Sequence, residues 1–283
     1  MQIRRNRQVA CAVFALAATL SAPGCKREQT TVVPSVTPTL SVSQADVPAA
    51  PTHAAPLELK DIVEHNPNYV IGMTFPAAIN HYPGLAEAAN RYAQRARGEL
   101  MQAVEGIGHD RARTPYELSL QFDVLLERPD LVALAADGSR YTGGPHGEPL
   151  LARFVWLPQR QRMLTAEELI PDADHWKDVA TYVAAHLRHA MRARGHAAQL
   201  TPDDRDQQVL NADKMIAEGT TPQARNFSQF QPLVDARGKI TAVRFVFPSY
   251  QVGAYSDGTQ IVDVPASVLR ALVAPQYAGL FVA

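Results

Sequence analysis

Tyr141-Thr142-Gly143-Gly144-Pro145-His146-Gly147-Glu148-Pro149 lies near the middle of a 283-residue chain. Three glycines and two prolines in nine residues force a tight, non-repetitive path, because glycine enters positive φ freely while proline fixes φ and donates no hydrogen bond. Apolar, strand-like runs stand on both sides. The stretch therefore reads as a loop joining two sheet elements.

Working back from it, Tyr116 to Leu126 sets Tyr116, Leu118, Leu120, Phe122, Val124 and Leu126 against Glu117, Ser119, Gln121, Asp123 and Leu125. Strict alternation of this kind marks a half-buried strand. Arg128-Pro129-Asp130 turns the chain, Leu131 to Ala135 reads as the partner, and Asp137-Gly138 reads as a further turn. An antiparallel meander is the simplest arrangement. Further upstream, Tyr69 to Phe75 alternates as a strand closed by Pro76. Gly84 to Val104 then carries Leu85, Ala89, Tyr92, Ala96, Leu100 and Val104 at helical steps, with Gly106-Ile107-Gly108 as the stop.

Downstream, Leu151 to Leu157 is a strand-like run and Pro158 to Gln161 a polar turn. Thr165 and Glu168 are spaced as a capping box for a short helix, Ala166 to Ile170. Trp176, Val179, Val183, Leu187, Ala190 and Met191 mark a second long amphipathic helix, with Gly195 as its expected end. The polar stretch Ala198 to Gln223 begins a helix at Thr201-Pro202 and reads as a helical insert or flap. Strands are expected over Asn226–Val234, Ile240–Phe247, Tyr250–Tyr255 and Gln260–Val264, then a last helix over Pro265–Val273. The fold class is α+β: antiparallel sheets with two long amphipathic helices in two subdomains, 59–149 and 150–283.

The N-terminus reads as a processing signal over residues 1–24. Arg4, Arg5 and Arg7 precede an uncharged apolar stretch from Val9 to Ala22, too short to span a bilayer. Ala22-Pro23-Gly24-Cys25 has the small residues before cysteine of a bacterial lipoprotein signal, with soluble periplasmic or secreted protein as the alternative. Lys26 after the cysteine favours the periplasmic face of an outer membrane. Residues 25–58, with Pro34, Pro38, Pro48, Pro51 and Pro56 and almost no aromatics, read as a lipidated cysteine on a disordered tether. With Cys11 removed and Cys25 acylated, neither a catalytic thiol nor a disulfide is available.

Two segments carry a family resemblance. Tyr141-Thr142-Gly143-Gly144-Pro145-His146-Gly147-Glu148 resembles the Y-x-G-G-A-H-x-N loop of the RsiV-like extracytoplasmic domain, with Pro145 and Glu148 in place of the usual Ala and Asn. Phe247-Pro248-Ser249-Tyr250-Gln251-Val252-Gly253-Ala254-Tyr255-Ser256-Asp257-Gly258 resembles that family's P-Y-x-V-x-x-Y-x-x-G segment. The resemblance spans residues 60 to 275. It implies a domain of unknown function behind a smaller domain of the kind that also precedes PdaC-type peptidoglycan deacetylases. Relatives include lysozyme-binding anti-sigma factors, whose cytoplasmic region and transmembrane helix have no counterpart expected here.

The chemistry-bearing residues give a short candidate set. Tyr141, Gly143, Gly144, His146, Glu148, Tyr250 and Tyr255 form the candidate binding loop, the glycines in conformational roles. His146 reads either as ligand or general base or as a cap on loop backbone. Tyr250, Tyr255 and Tyr277 are candidates to stack on sugar rings. His186, His189 and His196 lack metal-site spacing, and Asp203, Asp204 and Asp206 lack the glycine and terminal glutamate of a calcium loop. Neither G-x-S-x-G nor S-x-x-K with its partner motifs occurs. No catalytic residue, metal or cofactor is assigned. With net charge −1 and no dense basic cluster, nucleic acid is excluded as a partner.

Three functions remain open. The leading one is a membrane-anchored, non-enzymatic envelope module that binds a protein or cell-wall polymer. Next are a lysozyme-binding, lysozyme-inhibiting or envelope-stress-sensing protein, and a peptidoglycan hydrolase. For the anchor, a palmitate analogue fed to cells should label wild type and leave Cys25→Ser unlabelled; equal labelling of both rejects lipidation.

Overall fold

Strand β1 (Ile62–Asn66) turns directly into β2 (Tyr69–Thr74), whose Ile71 and Met73 are fully buried as their alternation requires. Residues 57–107, 114–197 and 201–283 are described by the computed structural model. The signal, Cys25 and the tether to Pro56 lie outside them.

Helix α1 (Pro83–Gly106) follows, then β3 (Tyr116–Glu127), β4 (Val132–Tyr141), β5 (Glu148–Leu157) and the two-residue β6 (Arg162–Met163). These strands form one sheet in the order β1-β2-β3-β4-β5-β6. The β3-β4-β5 meander is antiparallel as expected, but β2 and β3 run parallel, so the sheet is mixed. Parallel neighbours need a long crossover, which α1 provides. Its alanine stripe, Ala86, Ala89, Ala93 and Ala96, is buried with Leu85 and Leu100 against Ile71, Met73, Leu118, Leu120 and Phe122. Small side chains let helix and sheet approach closely.

Asp137-Gly138, expected as a turn, instead lies within β4. A Cβ on Gly138 would sit 2.0 Å from the Ser119 carbonyl oxygen, so the close approach of β3 explains the glycine. The register of β3 is as read: Phe122 is buried between Phe75, stacked at 4.7 Å between ring centroids, and Tyr92, edge-on at 6.4 Å, while Asp123 is exposed.

The second layer begins with α2 (Ala166–Leu169), whose first turn is capped by the Thr165 hydroxyl accepting from the Glu168 amide at 3.3 Å. Helix α3 (Trp176–Ala197) ends two residues past Gly195, its expected stop. Helix α4 (Pro202–Gly219) has Thr201 as N-cap. Strands β7 (Phe230–Val234), β8 (Ile240–Phe247) and β9 (Gln260–Pro265) form an antiparallel sheet. The chain before Phe230 is a short helical turn rather than strand; the expected last helix, Pro265–Val273, is only α5 (Ala266–Leu269), and a further short helix that was not expected, α6 (Pro275–Ala278), follows it. Trp176, Val179, Val183 and Leu187 of α3 pack on this sheet with Phe227, Phe245 and Phe247. The architecture is α+β around two sheets.

The expected division at 149/150 falls within the opening of β5, and the first sheet continues to Met163. Strand β5 serves both cores. Ala152 and Trp156 face the first; Val155 and Leu157 face the second. Arg153, on the second face, donates from its amide to Gln229 Oε1 at 2.8 Å and from Nε to Gln231 Oε1 at 3.0 Å, tying β5 to β7.

Phe122→Ala should lower stability by about 3–5 kcal/mol through the lost burial and the cavity it leaves. Asp123→Ala, on the wet face, should cost less than about 1 kcal/mol. Thermal unfolding of both measures the difference; equal shifts would refute the register.

Candidate functional site

The loop from Thr142 to Gly147 leaves β4 and enters β5, and its two ends are clamped across the ladder. Arg140 is paired in register with Glu148, and its guanidinium reaches the Glu148 carboxylate at 2.5 Å and the Glu99 carboxylate of α1. Burial opposes the Arg140 charge, but hydrogen bonds to Glu99 and Glu148 outweigh it and raise its pKa above the ordinary value. Glu148 thus closes the neck of the loop.

Only one of the loop glycines needs its freedom. Gly143 has φ +91°, whereas Gly144 and Gly147 lie outside the positive-φ region, correcting the expectation for Gly144. The ring of Tyr116 lies under Gly143, 3.3 Å from where a Cβ would be.

The second segment, Pro248 to Gly258, follows β8 and was expected to contain a strand from Tyr250 to Tyr255. It is instead a compact loop. Pro248 denies a ladder donor, the Gln251 amide donates to the Pro248 carbonyl at 3.1 Å, the Tyr250 amide to the Gly253 carbonyl at 3.0 Å, and Tyr255–Asp257 form a helical turn. Tyr250 itself has φ +72°, uncommon for a bulky residue, and its side chain is 59% exposed.

The two loops meet. The His146 ring stacks on Tyr255 with centroids 3.7 Å apart and 17° between planes, and the Tyr255 hydroxyl donates to the Gly147 carbonyl at 2.9 Å across 108 residues of sequence. Tyr250 leans on Tyr255 at 5.8 Å, and its hydroxyl lies 3.5 Å from His146 Nε2. His146 Nδ1 is 3.3 Å from the Gly147 carbonyl. Beside this aromatic stack lies a cavity of about 290 Å³ lined by His146, Glu148, Pro149, Pro248, Ser249 and Tyr250.

Of the candidates, His146, Glu148, Tyr250 and Tyr255 are brought together. Gly143 shapes the loop from a distance, and Tyr141, at the end of β4 opposite Glu117, makes none of the aromatic contacts among the described residues. Tyr277 is buried in the second core, where its hydroxyl accepts from Arg160 and Arg162, so it offers no face to a ligand. Pro149, Pro248 and Ser249 were not singled out. Their signal was only their membership of the two quoted stretches, Tyr141–Pro149 and Phe247–Gly258.

Ser249, His146 and Glu148 line one cavity, yet they do not form a relay. Glu148 is held by Arg140, and the His146 ring faces the Gly147 carbonyl and the Tyr250 hydroxyl. The arrangement offers flat aromatic faces bordered by a carboxylate, a hydroxyl and loop carbonyls. Such a surface suits a ligand with both apolar faces and polar edges.

No protein-family model matches the chain. Over 212 residues it is 22% identical to the peptidoglycan-N-acetylmuramic acid deacetylase PdaC of Bacillus subtilis, covering 73% of this chain and 40% of that protein. The chain is homologous to part of PdaC. It spans well under half the length of that relative. A DUF3298 family protein from Pseudomonas aeruginosa superposes with a TM-score of 0.50 at 17% identity, over 79% of this chain and 96% of that one. A DUF3298 family protein from Bacteroides fragilis gives a TM-score of 0.46 at 12% identity, over 77% and 93% of the two chains. The fold is thus similar to that of the Pseudomonas DUF3298 protein. Among the described residues no helix is long and apolar enough to cross a membrane.

Gly143→Ala should destabilise the fold by about 1–3 kcal/mol, since alanine pays for positive φ and meets the Tyr116 ring. Gly144→Ala should lie within about 0.5 kcal/mol of wild type. Chemical denaturation of the pair checks this; a reversed order would refute the loop geometry.

Proposed function

We propose that this chain is an extracytoplasmic module of the RsiV-like type, tethered through Cys25, that binds cell-wall glycan without cleaving it. The observation that carries the reading is the meeting of the Tyr141–Glu148 and Phe247–Gly258 segments in one exposed aromatic site. Homology to part of a peptidoglycan deacetylase supports a cell-wall polymer as ligand.

The positive φ of Tyr250 adds to this. A bulky residue held in a sparsely populated conformation costs about 1–3 kcal/mol and persists where the surrounding loop enforces it, most often at ligand-holding sites. Here the strain presents the ring of Tyr250 to solvent beside the cavity. Sugar rings carry apolar C–H faces and polar edges, complementary to a tyrosine face flanked by Glu148 and Ser249.

The mature protein should sediment with purified insoluble peptidoglycan. Removal of a stacking ring is worth about 0.5–1.5 kcal/mol, so Tyr250→Ala and His146→Ala should each weaken retention roughly threefold to tenfold, with the melting temperature unchanged for Tyr250→Ala and lowered by about 2–4 °C for His146→Ala, which also loses its stack on Tyr255. Release of soluble fragments from the polymer would overturn the non-catalytic reading. Retention on lysozyme with none on the polymer would overturn glycan as the ligand.

A further inference from the structure

The loop that carries Tyr250 and Tyr255 has a second wall. Ala254, Ser256 and Asp257, on either side of Tyr255, border a cavity of about 330 Å³ whose opposite side is α4, through Asp204, Gln207, Gln208, Asn211, Ala212 and Met215. One ten-residue loop, Pro248–Asp257, therefore separates and lines two cavities of similar size.

Helix α4 is built unevenly. Its C-terminal half is fastened: Ile216 is buried, Asp213 pairs with Arg188 of α3 at 3.1 Å, and the Gln251 side chain donates to the Gly219 carbonyl at 3.0 Å. That last bond joins the helix directly to the tyrosine loop. The N-terminal half stands clear, with Asp204, Gln207, Gln208 and Asn211 all exposed. A helix needs only its apolar stripe to pack, so these polar residues owe nothing to the core.

Their chemistry is specific. Carboxamides donate and accept at once, and Gln207 Nε2 donates to Asn211 Oδ1 at 3.1 Å, which fixes the two amides relative to each other. Ser256 and Asp257 add a hydroxyl and a carboxylate from the facing turn. Paired donors and acceptors of this kind match hydroxyl and acetamido groups, and Ala212, Met215 and Ala254 give the groove an apolar floor that suits the acetamido methyl and the C–H face of a sugar ring.

We infer that the groove between α4 and the Ala254–Asp257 turn is a second subsite for the same N-acetylated glycan strand, which crosses the loop from the His146–Tyr250 cavity. This rests on the glycan-binding reading above. The aromatic cavity supplies stacking; the α4 groove supplies hydrogen bonds to the acetamido and hydroxyl groups of later sugar units. Engaging both at once raises affinity with chain length, as linked sites do whenever one ligand spans them.

The test is a titration of the full mature protein with soluble peptidoglycan glycan oligomers, a disaccharide against a hexasaccharide. Wild type should bind the hexasaccharide at least about tenfold more tightly. The Gln208→Ala/Asn211→Ala double variant, altered only at exposed positions, should keep its melting temperature and its disaccharide affinity while losing that gain. Tyr250→Ala should weaken binding of both oligomers. A double variant that retains the full length dependence overturns the second subsite and leaves the aromatic site intact. Failure of wild type to bind either oligomer overturns the glycan reading itself.

Discussion

Everything in this molecule hangs on the two-residue period of β5. Because successive side chains of a strand point to opposite faces, Ala152 and Trp156 close the core beneath α1 while Val155 and Leu157 close the core beneath α3. Arg153 completes the junction through Gln229 and Gln231, and the Gln229 carbonyl accepts from the Val246 amide at 2.8 Å, carrying the connection into β8. The glycine-rich loop enters β5 and the tyrosine loop leaves β8. Their meeting is a product of this shared wall.

The site that results divides its labour. Arg140, Glu99 and Glu148 close one loop at its base, and Pro248, Gln251 and Gly253 fold the other on itself. Both loops are therefore fixed before any ligand arrives. Rigid presentation of aromatic faces limits the entropy lost on binding, which is how a shallow surface reaches useful affinity.

Legibility in the sequence followed the strength of local patterns. The alternation of β3 and the stripes of α1 and α3 are set by burial on one face, so Leu118, Leu120, Phe122, Val179 and Val183 could be placed without coordinates. Edge strand β1 left no such trace, because Val63 is exposed and only Ile62 and Glu64 are half-buried. Parallel pairing of β2 with β3 depends on where α1 packs, a tertiary choice that neither strand records. Tyr250 to Tyr255 alternates like a strand, yet Pro248 and the absence of a pairing partner leave its amides to internal turns. Both motif segments of the candidate site were visible and could be grouped as one surface, but the contacts that join them, the His146–Tyr255 stack and the Tyr255–Gly147 hydrogen bond, depend on the chain path and could not be read from either segment. Gly143 and Gly144 are chemically identical in sequence, and only the chain path tells which carries positive φ.

A strand shared by two cores also constrains where the chain tolerates change. Cutting the chain within β5 would strip one wall from each core and unpair β4, so the two sheets share a single point of failure. Substitutions that leave both cores intact are therefore confined to the loops at the rim of the two sheets, where the aromatic site lies.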